Sequence, residues 1–410
     1  MSDTRKTTKP NVPNLRFPGF EGEWEKMKAS DLLDFFSTNS LSWEQLEYGG
    51  VGLLNLHYGL IHNGLPTQID INDFTLPAIK AGNEPRKFTL CKEGDIAFAD
   101  ASEDTNDVGK VVEFVDCAGK NVVCGLHTIH GRDKLDKTVP GFKGYIFSSK
   151  AFHDQIKRIA QGTKVFSISA GCFDEVSIGI PDKEEQKKIA ALLSLIDQRI
   201  SIQSKVIEDL KKLKTALEER MLGQCQGKQV RLRDILIERV EKSRINNQYE
   251  VLSSTVSGIY SQREYFNKEI ASADNTGYKA IHRGDVVLSP QNLWMGNINY
   301  NDRFEIGIVS PSYKVFSIDE KFDKGYIAFL LKTRKALWAY SLVSEQGASI
   351  VRRNLNYESF LEISFVIPSL KEQQATARRL SAFKQKQTME EAFLRSLLLQ
   401  KEFMLKSLFI

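Results

Sequence analysis

Residues Phe173–Gln186 read FDEVSIGIPDKEEQ and residues Phe360–Gln373 read FLEISFVIPSLKEQ, with seven of the fourteen aligned positions identical at an offset of 187. A chain that carries such a stretch twice is built from two copies of one unit. Upstream, EGDIAFAD from Glu93 is echoed by RGDVVLSP from Arg283, and GYIF from Gly144 by GYIA from Gly325. These echoes sit at drifting offsets, as expected when the loops between them differ in length. The order is therefore variable region, long helix, variable region, long helix.

The repeated stretch also marks where each helix begins. Asp182-x-x-Glu185 follows Pro181 and Ser369-x-x-Glu372 follows Pro368, each at the spacing of a capping box. Downstream, Leu193, Ile196, Ile200, Gln203, Ile207, Leu210, Lys214, Leu217 and Met221 alternate steps of three and four, the period of a coiled-coil seam. Adding 187 gives Leu380, Phe383, Gln387, Glu390, Leu394, Leu397, Lys401, Met404 and Leu408, the same seam with its polar gaps at 203 and 214 polar again. Helices of roughly 35 to 40 residues are on the order of 55 Å long, too long to bury against one small domain. Their expected partner is each other, antiparallel, with the repeats related by a pseudo-twofold axis.

The variable regions read as α+β. Period-2 apolar runs such as DIAFAD, KVVEF, DVVLSP, YKVFSI and EISFVIP predict strands, and AFHDQIKRIA and GYIAFLLKTRKALWAY predict helix. The expected layout is a flexible tail over 1–14, a first domain over 15–181, a central helix over 182–226, a second domain over 227–368 and a distal helix over 369–410. With 410 residues, 41% of them hydrophobic, both domains can bury real cores. The N-terminal stretch SDTRKTTKPNVPN has no apolar core of a signal peptide, and no uncharged run approaches a membrane span, so a cytoplasmic protein with no membrane partner is expected. Cys91, Cys117, Cys124, Cys172 and Cys225 are odd in number and contain no CxxC pair, which argues for reduced, structural thiols. A net charge of +4 permits a polyanionic partner without requiring one.

With these residues in view, the chain resembles the specificity (S) subunit family of type I restriction-modification systems, known as HsdS. The opening NVPNLRFPGFEGEWEKMKASDLL resembles the start of that family's first target-recognition domain, and QVRLRDILIE from Gln229 the start of the second. The Gly94-Asp95 and Gly284-Asp285 segments and the IP-x-x-x-EQ helix starts fit the same pattern. The resemblance implies a non-catalytic subunit that reads a bipartite double-stranded DNA target. It implies modification subunits docked on a helical spacer, and restriction subunits. S-adenosylmethionine, ATP and Mg are then expected on those partners and no cofactor in this chain. Two readers on one side of a duplex need centres about one turn, roughly 34 Å, apart.

Candidate DNA contacts follow from residue chemistry. Arg352, Arg353 and Asn354, in the Gly- and Ser-rich segment EQGASIVRRNLNYESF, combine groups that fork onto guanine or phosphate with one that reads adenine. The matching first-half segment QGTKVFSISAGCF offers Lys164, Ser167 and Ser169. Asn292 could meet a base edge, whereas Trp294 between Leu293 and Met295 reads as core. Arg86, Lys87, Lys110, Arg263, Arg283, Arg303 and Arg334 are candidates for phosphate, each taken alone reading more readily as a solvated surface charge. Glu103, Asp104 and Asp107 make the loop after DIAFAD acidic, so that loop is not expected to approach phosphate.

Competing chemistries lack their residues. Cys124, His127 and His130 recur every third residue, but VVCGLHTI reads as one strand, whose alternate side chains face opposite ways, so no metal is expected. Pro181-Asp182 with Glu185-x-Lys187 superficially matches a PD-ExK nuclease core, yet capping explains both carboxylates and their repeat. No Asn- or Asp-Pro-Pro-aromatic tetrapeptide and no GxxxxGK[ST] loop is present, and YGGVG from Tyr48 is only a glycine cluster. No catalytic residue is assigned. The alternatives are a coiled-coil adaptor that binds only proteins, or a partnerless DNA-binding relative.

Overall fold

The computed structural model describes residues 11–266, 274–346 and 352–410. The chain divides into two compact units: unit 1 comprises residues 1–204 and 392–410, and unit 2 residues 205–391. In both, strands and helices are mixed, and each variable region runs into a long helix, Lys183–Gly223 and Leu370–Ser407.

Unit 1 is organised on a five-stranded sheet in the order Leu33–Phe36, Thr128–Asp133, Ile96–Ala99, Val111–Asp116, Gln68–Asp70. Unit 2 has a four-stranded sheet in the order Leu236–Glu238, Lys314–Ile318, Val286–Leu288, Ile298–Tyr300, which matches the first four strands of unit 1 in sequence position and neighbour. In each unit a short strand from the start of the domain pairs antiparallel with the strand just before the long helix. Glu25–Lys28 pairs with Ser177–Ile180 and Lys228–Arg231 with Ser364–Ile367. The domain is thereby closed on itself at the point where its helix leaves.

The repeated Gln-186/373 position explains why the repeat is strongest here. The Gln186 Nε2 donates to the Pro181 carbonyl at 2.9 Å while its Oε1 accepts from Val139 N at 2.9 Å. Gln373 repeats both bonds, to the Pro368 carbonyl and from Asp323 N, at the same 2.9 Å. A buried amide that ties helix start to domain must keep both its donor and its acceptor satisfied. The two capping boxes, by contrast, divide their work. Asp182 Oδ1 accepts from Glu185 N at 2.8 Å, but Glu185 turns to a bidentate ion pair with Arg16 and to Trp24 Nε1. In the distal helix Glu372 reaches back to the Ser369 N–H at 3.1 Å and hydroxyl at 2.6 Å.

The long helices run antiparallel within each unit. In unit 1 Asp197 meets Lys401 at 2.6 Å and Arg199 lies over the Phe393 ring; in unit 2 Lys211 faces Glu391 at 3.6 Å. Every one of the eighteen seam positions is buried or half-buried, while positions between them along both helices are mostly exposed. Gln203 is buried and Lys401 neutralises Asp197, so the polar gaps are occupied by partnered groups rather than left as holes. Leu408 and Phe409, at the end of the distal helix, join the core of unit 1, with Phe409 against Trp24 and Phe142.

Two expected elements are broken. The run from Gly325 to Tyr340 is two helices, Lys324–Leu330 and Arg334–Leu342, because Thr333 caps a fresh start by accepting from Ala336 N at 3.2 Å. VVCGLHTI is two strands, Val122–Cys124 and Thr128–Asp133, separated by a turn in which His127 has φ +55°. The turn resets the alternation of side chains, so His127 and Cys124 part company while His130 and Cys124 do not.

Candidate nucleic-acid interface

Both units use one device to hold the strand that leads to the candidate surface. Gly94 (φ +80°) and Gly284 (φ +95°) make left-handed turns that suit glycine, and the following Asp95 and Asp285 are buried. Asp95 accepts from Lys92 N at 2.9 Å and Asp285 from His282 N at 2.8 Å, each closing its turn. Each carboxylate is neutralised by arginine. Arg132 bonds Asp95 at 2.6 and 2.7 Å, and Arg239 lies 2.8 Å from Asp285. Burial disfavours the charge on Asp95, but the hydrogen bonds from Arg132 and His130 outweigh it and hold the carboxyl below its ordinary range.

In unit 2 the strand Val286–Leu288 runs into a 3-10 turn, Pro290–Met295, closed by Gly296 at φ +90°. Trp294 on this turn is half-buried, and the Arg353 guanidinium stacks on its ring at 4.2 Å. Arg353 opens the strand Arg353–Leu355, which pairs with Ser344–Gln346; residues 347–351, the tip of the expected Gly- and Ser-rich turn, lie outside the described residues. Arg353 and Asn354 thus stand on a strand rather than in that turn. Alternation puts Arg353 toward Trp294, whereas Arg352 and Asn354 are exposed. Asn292, half-buried, belongs to the same turn as Trp294.

Behind this surface a polar ladder fixes the loops. Ser254 Oγ donates to Asn297 Oδ1 at 2.7 Å, Asn299 Nδ2 donates to Ser254 Oγ and the Thr255 carbonyl at 2.7 Å, and Lys332 Nζ reaches the Gly296 and Val256 carbonyls. Such satisfied networks hold a surface in one shape.

In unit 1 the corresponding strand, Phe166–Ser167, pairs with Ala101–Ser102 in a separate two-stranded ribbon that follows the sheet strand Ile96–Ala99. Lys164, Ser167 and Ser169 are all exposed; Lys164 lies in the turn bracketed by the antiparallel bridge of Gln161 with Ser167, and Ser169 caps the 3-10 turn Ala170–Asp174. Sequence reasoning missed what lies on the same edge. The His62 Nε2 sits 2.9 Å from the Ala101 carbonyl, His127 pairs with Asp100 at 3.0 Å, and Tyr58 lies against His57, His62 and His127. Trp43, 44% exposed, extends the cluster through His57 at 4.3 Å. Burial pushes the Asp100 carboxyl up against the pull of His127, and burial with the nearby His127 lowers His57. The only hint in the sequence was LNLHYGLIH, which puts two histidines beside a tyrosine.

The remaining candidates scatter. Arg86 and Lys87 are exposed beside Phe88, itself 48% exposed, and Lys110 donates to the His62 carbonyl at 3.3 Å. Arg263 is exposed on Gln262–Phe266. Arg283, Arg303 and Arg334 are engaged with Glu305, Glu264 and Glu219 at 3.0, 2.7 and 3.0 Å. Glu103 and Asp104 are exposed, and Asp104 bonds its own loop through Asn106. Among the described residues no helix is long and apolar enough to cross a membrane.

Comparison with known proteins agrees with this architecture. Residues 118–212 match the family described as type I restriction modification DNA specificity domain. The fold is similar to the crystal structure of a type I restriction-modification system S subunit from M. genitalium, with TM-score 0.58, 17% identity, and 97% of this chain and 99% of that one covered. It is also similar to a chain from a structure of complex assembly and conformational transition of the type I R-M system, with TM-score 0.55, 12% identity, and 96% and 98% covered. No curated protein matches the sequence. Residues 118–212 are thus similar to a type I restriction modification DNA specificity domain, and the chain shares, over nearly its whole length, the fold of those two solved structures.

Proposed function

We propose that this chain is the DNA-reading, non-catalytic specificity subunit of a type I restriction-modification complex, with one unit reading each half of a bipartite target. The observation that carries this reading is the duplication. Two units repeat one scaffold, down to the buried glutamine and aspartate, while the surfaces beside Trp294 and Tyr58 differ completely. Such a pair suits two half-sites of different sequence. The antiparallel helices serve as spacer and as docking rails for modification subunits, which supply S-adenosylmethionine chemistry, and restriction subunits, which supply ATP- and Mg-dependent cleavage.

In this reading Arg352, Asn354 and Asn292 address base edges or phosphate in unit 2, and Lys164, Ser167 and Ser169 do so in unit 1. Lys110, Arg86, Lys87 and Arg263 add phosphate contact, and Arg353 acts by holding Trp294. Arg283, Arg303 and Arg334 reach phosphate by leaving their carboxylate partners. Phosphate contacts give salt-sensitive affinity, and base contacts give discrimination at about 1 to 3 kcal/mol apiece.

Co-expression with candidate modification subunits, followed by mapping of methylated adenines, tests the reading. A bipartite motif with a fixed gap, present only with this chain, is the expected result. A stable complex of competent subunits with no chain-dependent methylation overturns it in favour of an adaptor that binds only proteins.

A further inference from the structure

Unit 1 has a second core, separate from the one beneath the long helices, made of residues including Leu56, Ile69, Phe114 and Val122. Cys91 and Cys124 belong to it and His130 adjoins them; the three are 5%, 2% and 1% exposed. Their donor atoms all fall within 4.8 Å of one another. The two sulfurs are 3.6 Å apart. Two thiolates on a tetrahedral zinc, at Zn–S of about 2.3 Å, stand roughly 3.8 Å apart, so the pair already spans one edge of such a site.

The histidine supplies the independent sign. Its Nε2 bonds Asp95 Oδ2 at 2.8 Å, while its buried Nδ1 has no hydrogen-bond partner among the described residues. Asp95 takes hydrogen bonds from Arg132 and is an acceptor, so it fixes the imidazole proton on Nε2 and leaves the lone pair on Nδ1. A carboxylate bonded to one ring nitrogen, with the other nitrogen left unpartnered in a cluster with two cysteines, is an arrangement by which proteins orient a metal-binding imidazole. A buried lone pair with no donor is otherwise an uncompensated loss.

We propose that Cys91, Cys124 and His130 bind a thiophilic d10 cation, zinc, as a structural site in unit 1. On binding, the two thiol protons leave to solvent, and Cys91, Cys124 and His130 supply three of the four tetrahedral positions. The ion joins Cys91, in the loop before the strand Ile96–Ala99 and four residues after Lys87, to the strand Val122–Cys124 and the strand Thr128–Asp133. Asp95 is a positioning residue, reaching the ion only through His130. The proposal stands whether or not the chain reads DNA.

The test uses untagged full-length chain, purified under reducing conditions and reconstituted with zinc or with cobalt(II). Stoichiometric zinc that survives dialysis, thiolate-to-cobalt charge-transfer absorption, and a higher thermal midpoint with zinc than after chelation are expected. Cys91→Ser and Cys124→Ser lose the metal and the midpoint shift, while His127→Ala keeps both. Should the serine variants not fold, the cobalt spectrum of the natural sequence carries the test alone. A featureless cobalt spectrum with no retained zinc overturns the proposal. So does a Cys91–Cys124 disulfide in protein whose thiols were trapped at lysis.

Discussion

The two units neutralise the same buried aspartate with arginines from different places. Asp95 takes Arg132 from the neighbouring strand Thr128–Asp133, whereas Asp285 takes Arg239, which follows the strand Leu236–Glu238. A second pair differs more sharply. Lys143 and Lys324 both place Nζ 3.5 Å from where a side chain on the turn glycine would begin, yet Lys143 is buried against Glu113 and Lys324 is exposed. What the repeat preserves is the need, a turn aspartate with a cation on it. The residue that meets the need is free to move, and that freedom is how the units diverge without losing their sheets.

The largest effects are expected where a buried charge loses its partner. Arg132→Met and Arg239→Met, which strand the buried Asp95 and Asp285, should each destabilise their own unit by about 3 to 5 kcal/mol, read by denaturation followed with unit-specific probes. Equal losses would place the aspartate in the shared scaffold; a loss in one unit alone breaks the comparison. Lys143→Met should cost about 3 kcal/mol, because Glu113, whose carboxyl burial already pushes up, is left without its cation. Lys324→Met, on the surface, should fall within about 0.5 kcal/mol. Similar costs at the two lysines would show that exposure is not what separates them.

Smaller effects sharpen the contrast between the helix starts. Asp182→Ala removes a side-chain cap and should cost about 1 kcal/mol. Glu372→Gln keeps the reach toward the Ser369 N–H and should cost about 0.5 kcal/mol or less. Thermal midpoints of the two variants, measured side by side, check the order.

The seam and the strands were legible because burial with a fixed period leaves a mark on composition. Leu193, Ile196, Leu380 and Leu397 are apolar for the same reason that they are buried. The surface was legible only in part. Arg352 and Asn354 could be chosen by type, but the stack of Arg353 on Trp294 joins residues 59 positions apart and follows from strand pairing that no local pattern encodes. The Cys91, Cys124 and His130 cluster was hidden for a similar reason. The turn at His127 breaks the expected strand, and Cys91 arrives from a separate loop.

The most direct test of two different readers on one scaffold is adenine-methylation mapping with Arg352→Ala and Asn354→Ala, beside the natural chain, in the presence of modification subunits. The account predicts that one half of the bipartite motif relaxes, with discrimination falling by about 1 to 3 kcal/mol per residue, while the other half and the gap stay fixed. Equal relaxation of both halves, or an unchanged motif at full methylation for both variants, would contradict it.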